Sequence, residues 1–181
     1  MIMREISLHI LDIAQNSISA EASLVKITVC ESVKENKLTV TVSDNGKGMS
    51  DKMVEKVIDP FTTGRRTRKV GLGIPLIKQA AELTGGNFSL TSTLGKGTDL
   101  TAVFVLDSID RQPLGNMADT MLGLITSYEK VDFLYLHKTD KNEFSLDTRE
   151  IKRVLGGISL SLPDVYTWLS ECLKEGEAEL K

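Results

Sequence analysis

The sequence predicts an α+β sandwich, a single sheet with helices on one face. Three observations carry that reading. The chain opens with apolar residues at helical spacing. It continues in pairs of segments that alternate apolar and polar residues, which read as hairpins. Its elements follow in the order helix, two strands, helix, loop, helix, two strands.

Arg4 to Ala20 reads as a helix, because Ile6, Ile10, Ile13 and Ala14 fall at helical spacing and Leu11 and Ile18 widen the stripe. Val25, Ile27 and Val29 alternate with polar residues as a half-buried strand does. Glu35-Asn36 turns the chain, and Leu38, Val40 and Val42 form the returning strand. The loop Asp44-Asn45-Gly46-Lys47-Gly48 follows, then a short helix from Ser50 to Val57 with Ser50 at its N-cap. Asp59 to Val70 has no apolar period and carries Arg65, Arg66, Arg68 and Lys69, which reads as a mobile loop. Leu72 to Leu83 is a helix that tolerates Pro75 only in its first turn, and Gly85-Gly86 stops it. Phe88 to Thr93 and Thr98 to Leu106 are strands joined by Gly95-Lys96-Gly97.

The composition shifts at Ser108 to Gly115, where Pro113 and Gly115 suggest a linker between residues 1–110 and a small α+β region, 111–181. That region reads as a helix (Met117 to Tyr128), a hairpin (Val131 to His137 and Glu143 to Asp147) and two helices (Thr148 to Leu155 and Pro163 to about Glu177). The last helix carries Val165, Trp168, Leu169, Cys172 and Leu173 on one face, the pattern of a face packed on its own domain.

Of 181 residues, 41% are apolar and 26% charged, the balance of an ordinary globular chain. A net charge of −3 speaks against nucleic acid as a partner. Cys30 and Cys172 give no metal-ligand spacing and no disulfide framework, so both read as free thiols of a reducing compartment. No apolar run approaches the ~18 residues of a membrane span, and Met1 to His9 holds no signal-peptide core. The expectation is a cytoplasmic protein with no membrane partner.

Chemistry concentrates in four places. Asp12 and Asn16 stand four apart on the first helix and share a face. The Asn16 amide oxygen suits Mg²⁺, an ion that takes one or two protein ligands and leaves the rest to phosphates and water. Asp12, one turn earlier, can hold or activate a water. Two ordinary polar residues on a solvated face are the plainer alternative. Asp44-x-Gly46-x-Gly48 follows a strand directly: a carboxylate there can accept from an exocyclic amine, and glycines let the backbone approach a flat ring. An ordinary Asp-Asn-Gly turn is the alternative. Gly71-Leu72-Gly73 opens a helix whose free N–H groups suit phosphate, and Arg65 or Arg66 in the basic loop before it can close over the same anion.

Taken together and in this order, these segments resemble the boxes of the GHKL or Bergerat-fold ATPases, which include gyrase, the ninety-kilodalton heat-shock chaperones, sensor histidine kinases and MutL mismatch-repair proteins. Asp12-Ile-Ala-Gln-Asn16-Ser-Ile-Ser-Ala20 resembles the N-box, in the MutL style. Asp44-Asn-Gly46-Lys-Gly48-Met49 resembles the G1 box. Pro60-Phe61-Thr62-Thr63 with Gly71-Leu72-Gly73-Ile74 resembles the F and G2 boxes, closer to histidine kinases. Gly95-Lys-Gly97-Thr98 resembles the final box. The resemblance covers about residues 4–106.

It implies a mixed, mostly antiparallel sheet and a site for ATP and Mg²⁺. In it Asn16 coordinates Mg²⁺, Asp44 binds the adenine amino group, and Gly46, Gly48 and Met49 line the base pocket. Thr63, Arg65, Gly71, Leu72 and Gly73 meet the nucleotide from the lid, and Thr98 supports Asp44 or a pocket water. Asp12 takes the catalytic position, where hydrolysing branches carry a glutamate; the missing methylene implies slow turnover.

Only eight residues precede His9, so the helical hairpin that bears a histidine kinase's phosphoacceptor is not expected in this chain, and His9 reads as a packing or surface histidine. His137-Lys138 is a candidate for the lysine that a second domain brings to the γ-phosphate in gyrase and MutL, although a hairpin-turn cation is the plainer reading. Three functions stay open: a stand-alone ATPase coupled to a protein partner or homodimer, a kinase acting in trans on a partner's serine or histidine, as the anti-sigma-factor kinases of this fold do, and a non-catalytic nucleotide-sensing module.

Overall fold

A computed structural model describes residues 5–59 and 72–180. Within them run α1 (Ile6–Ser19), β1 (Leu24–Ser32), β2 (Lys37–Asp44), α2 (Asp51–Ile58), α3 (Gly73–Leu83), β3 (Asn87–Thr93), β4 (Gly97–Val105), α4 (Met117–Ser127), β5 (Asp132–Thr139), β6 (Glu143–Asp147), α5 (Thr148–Leu155) and α6 (Pro163–Ala178). The expected elements all form, with ends within three residues of those read from the pattern. Ser50 does occupy the N-cap of α2, but its hydroxyl makes no capping bond. Beyond Asp59, the expected mobile loop lies outside the described residues.

All six strands join one sheet in the order β3-β4-β2-β1-β5-β6. It is mixed and mostly antiparallel: β1 and β5 alone run parallel, Val29 facing His137 and Ile27 facing Tyr135. The strands of the C-terminal stretch therefore extend the N-terminal sheet through β1. Period-two alternation sorts the side chains. Val25, Ile27, Val29, Leu38, Val40, Leu100, Ala102, Phe104, Phe133 and Tyr135 point to one face and are fully or almost fully buried. Alternate residues such as Lys26, Thr41 and Thr101 stay partly or fully open.

The apolar stripe of α1 (Ile6, Ile10, Ile13 and Ala14) closes over the buried face, joined by Ile77 of α3 and by Met117, Met121 and Ile125 of α4. Each of the isoleucines and methionines, once buried, contributes roughly 1.5–3 kcal/mol. α6 behaves as its pattern predicts over half its stripe: Leu169 and Leu173 are buried, Val165 and Cys172 pack beside the core, and Trp168 stays 49% exposed. His9 is a packing residue, buried on α1 with Nε2 3.0 Å from Gln112 Oε1. Its Nδ1 has no partner among the described residues, and burial holds its pKa below the ordinary histidine value.

Candidate functional site

The inward face of the sheet is not covered everywhere. A cavity of about 170 Å³ opens between α1, the ends of β2 and β4, α2 and the start of α3. Its walls are apolar, with Ile13, Val42, Met53, Ile74, Leu90 and Leu100 contributing most of them. Four polar side chains reach it: Asn16, Ser17, Asp44 and Thr98. An apolar slot with a few convergent polar groups is the general form of a small-molecule site.

Asp44 stands at the end of β2, where the even alternation that buries Val40 and Val42 turns it inward as well. Both its oxygens are fixed by the chain. Gly46 N–H donates to Oδ1 at 2.8 Å, and the Ser17 hydroxyl donates to Oδ2 at 2.6 Å. A carboxylate oxygen has two lone pairs, so each keeps room for a further donor. The loop beyond is held by a second hub. The Ser92 hydroxyl accepts from Met49 N–H at 2.8 Å, contacts Thr98 Oγ1 at 2.8 Å and lies 3.0 Å from Gly97 O. Gly48 adopts φ +64°, and a Cβ there would strike the Thr93 carbonyl, so only glycine allows this close approach of the G1 loop to β3.

Of the residues expected at the site, Asn16, Asp44, Gly48, Met49 and Thr98 line the cavity. Gly46 lies just behind, bonded to Asp44. Thr98 faces Asp44 across the β2–β4 register, with its hydroxyl on Ser92. Asp12 lies outside the lining, one turn back along α1. Gly73, the first residue of α3, is buried against it, and a Cβ on Gly73 would collide with the Asp12 carboxylate. That places a carboxylate beside a helix start whose first N–H groups have no intrahelical partner. Leu72 is exposed at the N-cap of α3. Thr63, Arg65 and Gly71 lie outside the described residues.

Ser17 and Ser92 escaped the sequence reading. Ser17 sits next to Asn16 and on the buried stripe of α1 with Ile13 and Ala14, a signal for a hydroxyl aimed into the core, but its partner is 27 residues away.

His137 is no turn cation and lies far from this cavity. It is buried near the other end of β1, with Nε2 2.9 Å from Glu31 and Nδ1 3.0 Å from Glu177. Lys138 is exposed and 3.8 Å from Glu143.

One mixed sheet with helices over one face, and a cleft between the first helix, a strand-end aspartate and a glycine-started helix, define an ATPase domain of the Bergerat type. The chain belongs to the histidine kinase-, DNA gyrase B- and HSP90-like ATPase family, which it matches over residues 2–108. Sporulation kinase D of Bacillus subtilis is 29% identical over 92 residues, 51% of this chain and 18% of the kinase. Sensor histidine kinase WalK of the same species is 36% identical over 88 residues, 46% of this chain and 14% of that one. The chain thus spans under a fifth of these relatives.

Among solved structures, the N-terminal domain of a DNA repair protein superposes with a TM-score of 0.56 and 16% identity, covering 81% of this chain and 53% of that one. The Aquifex aeolicus MutL ATPase domain complexed with ADP superposes with a TM-score of 0.50 and 12% identity, covering 85% and 70%. At such identities the likeness is one of fold. No helix among the described residues is long and apolar enough to cross a membrane.

Proposed function

We propose that the chain binds ATP in the α1–β2–β4 cavity, hydrolyses it slowly with Mg²⁺, and uses closure of the segment before α3 to change its contact with a protein partner. The observation that carries the reading is Asp44: a carboxylate fixed by Gly46 and Ser17, with acceptor capacity left over, on the wall of an apolar slot. Such a group recognises the exocyclic amine of adenine, while Val42, Leu90, Leu100 and Ile74 suit the ring faces. Asn16, on the cavity wall, is the hard oxygen donor that fits Mg²⁺ when phosphates and water complete its shell, and Asp12 stands one turn away on the same helix face. The ion, when bound, neutralises phosphate charge. Asp12 would orient the attacking water as general base, and the N–H groups at the start of α3 would meet the phosphates.

The kinship with sensor kinases favours one rival, phosphotransfer to a separate protein. Incubation with γ-labelled ATP and Mg²⁺ separates the two. The proposed ATPase releases free phosphate, and Asp44→Ala abolishes it; label on an added protein, with little free phosphate, selects the kinase. Asp12→Asn and Asn16→Ala proteins that turn over like the parent would refute the assigned chemistry.

A further inference from the structure

The sheet ends at β6, and among the described residues no further strand pairs with that edge. Thr139 N–H donates to Asn142 O at 2.8 Å and closes the β5–β6 hairpin. In an antiparallel ladder every second pair is bonded, so the bonded pairs continue at His137–Phe144 and Tyr135–Leu146 in the observed register. The N–H and C=O groups of Glu143 and Ser145, both exposed, then point away from the sheet.

Beside this edge runs α6 in the opposite direction, fixed by Asn142 Nδ2 on Glu179 O at 2.8 Å and by the Phe144 ring seated on Gly176. The groove between them is lined by Phe144, the half-exposed Trp168 and three glutamates, Glu171, Glu175 and Glu179. The glutamates stand at four-residue spacing, about 6 Å apart along a helix. That nearly matches the ~6.6 Å between same-side residues of a strand. No cation pairs with any of them among the described residues.

We propose that this groove is a docking site for an extended, basic segment of a partner protein, which adds to the sheet as a strand beside β6. Backbone bonds to Glu143 and Ser145 would fix its register, and Lys or Arg at alternate positions would face the three glutamates, their aliphatic stems lying over Trp168 and Phe144. Charge selects the occupant. A second copy pairing β6 to β6 would set this acidic stripe against itself, with Glu143 added, and like charges placed opposite one another repel.

Two eight-residue peptides test the proposal on the full chain, one alternating lysine with valine, the other glutamate with valine. Trp168 is the single tryptophan, so its fluorescence reports the groove directly. The basic peptide should bind saturably and slow exchange of the Glu143 and Ser145 amide protons; the acidic one should not bind. Ser145→Pro removes an outward N–H and leaves the β5 bonds intact, and should weaken binding about tenfold or more. Glu171→Lys with Glu175→Lys should do the same and admit the acidic peptide. Absence of saturable binding, or binding that survives charge reversal or leaves the two amides unprotected, would overturn the proposal.

Discussion

The two ends of β1 each carry a polar cluster on the same buried face of the sheet. Asp44 lies opposite Val25 at one end, and Glu31 reaches His137 near the other. At the Asp44 end, each carboxylate oxygen takes one bond from the chain and faces a cavity. At the His137 end, both ring nitrogens meet carboxylates and the Tyr135 hydroxyl donates to Glu177 at 2.6 Å. A charged imidazole has two donors and no acceptor, so this cluster has nothing left to offer a phosphate. Glu31, His137 and Glu177 also line a cavity, so a space beside a buried carboxylate does not mark a ligand site by itself; Asp44, unlike those two glutamates, forms no ion pair among the described residues. On the proposed function the first cluster meets the ligand, while the second ties β1, β5 and α6 together.

The largest effect expected from this contrast is on stability, at the closed end. His137→Ala leaves Glu31 and Glu177 facing each other without the cation and should cost about 3 kcal/mol in urea unfolding. The pH dependence sharpens it. Burial lowers the His137 pKa, but the hydrogen bonds to Glu177 and Glu31 and their charges outweigh it and raise the pKa to about 9, from 6.5. The fold then holds a proton that the unfolded chain releases. Its stabilisation is complete below pH 6.5, shrinks as pH rises from there, and is gone above about 9. Glu31 acts in the opposite sense: the bond from His137 holds its pKa below the usual 4.5, so its share is present above that value and lost on acidification. His137→Gln should flatten the alkaline slope; a slope that survives would place the titrating group elsewhere.

At the open end the signature reverses. Asp44→Ala should lose about 100-fold in ATP affinity by calorimetry, the value of a hydrogen bond to a charged acceptor. Unfolding stability should fall by about 1–2 kcal/mol, less than at His137, because the Ser17 hydroxyl and Gly46 N–H lose a partner. A large stability loss with intact binding would make Asp44 a structural residue like His137.

Gly48→Ala falls between the two. It forces a Cβ into the Thr93 carbonyl at φ +64° and should cost about 2 kcal/mol of stability while displacing the G1 loop. Nucleotide affinity should fall with it.

Much of the open end was legible in the chain and little of the closed end. Asp12, Asn16, Asp44 and the G1 glycines lie on or beside single elements, and helical or strand spacing fixes which face they share. The His137 cluster joins residues 106 and 40 positions apart through a parallel pairing of β1 with β5. Alternation identifies a strand but not its neighbour, so Val131 to His137 gave no sign that it would lie beside Val25 to Val29. The hubs at Ser17 and Ser92 were hidden for a related reason: a serine's partner is set by tertiary packing, and its own sequence neighbourhood is silent about it.

Ser17→Ala is the finest test of the contrast. The hydroxyl is a donor to Asp44 Oδ2 at 2.6 Å and lies on the buried stripe of α1, so the substitution leaves the methylene packing in place. If Asp44 is a ligand-facing acceptor that Ser17 merely aims, its loss frees one lone pair and loosens the side chain. ATP affinity should then drop about fivefold, roughly 1 kcal/mol. Restoring a hydroxyl as Ser17→Thr should recover most of it, if the added methyl fits beside Ile13. If Ser17 and Asp44 instead form a closed pair like His137 and its carboxylates, the change will appear as stability, with nucleotide affinity untouched. Measuring both quantities on one protein decides which kind of cluster this is.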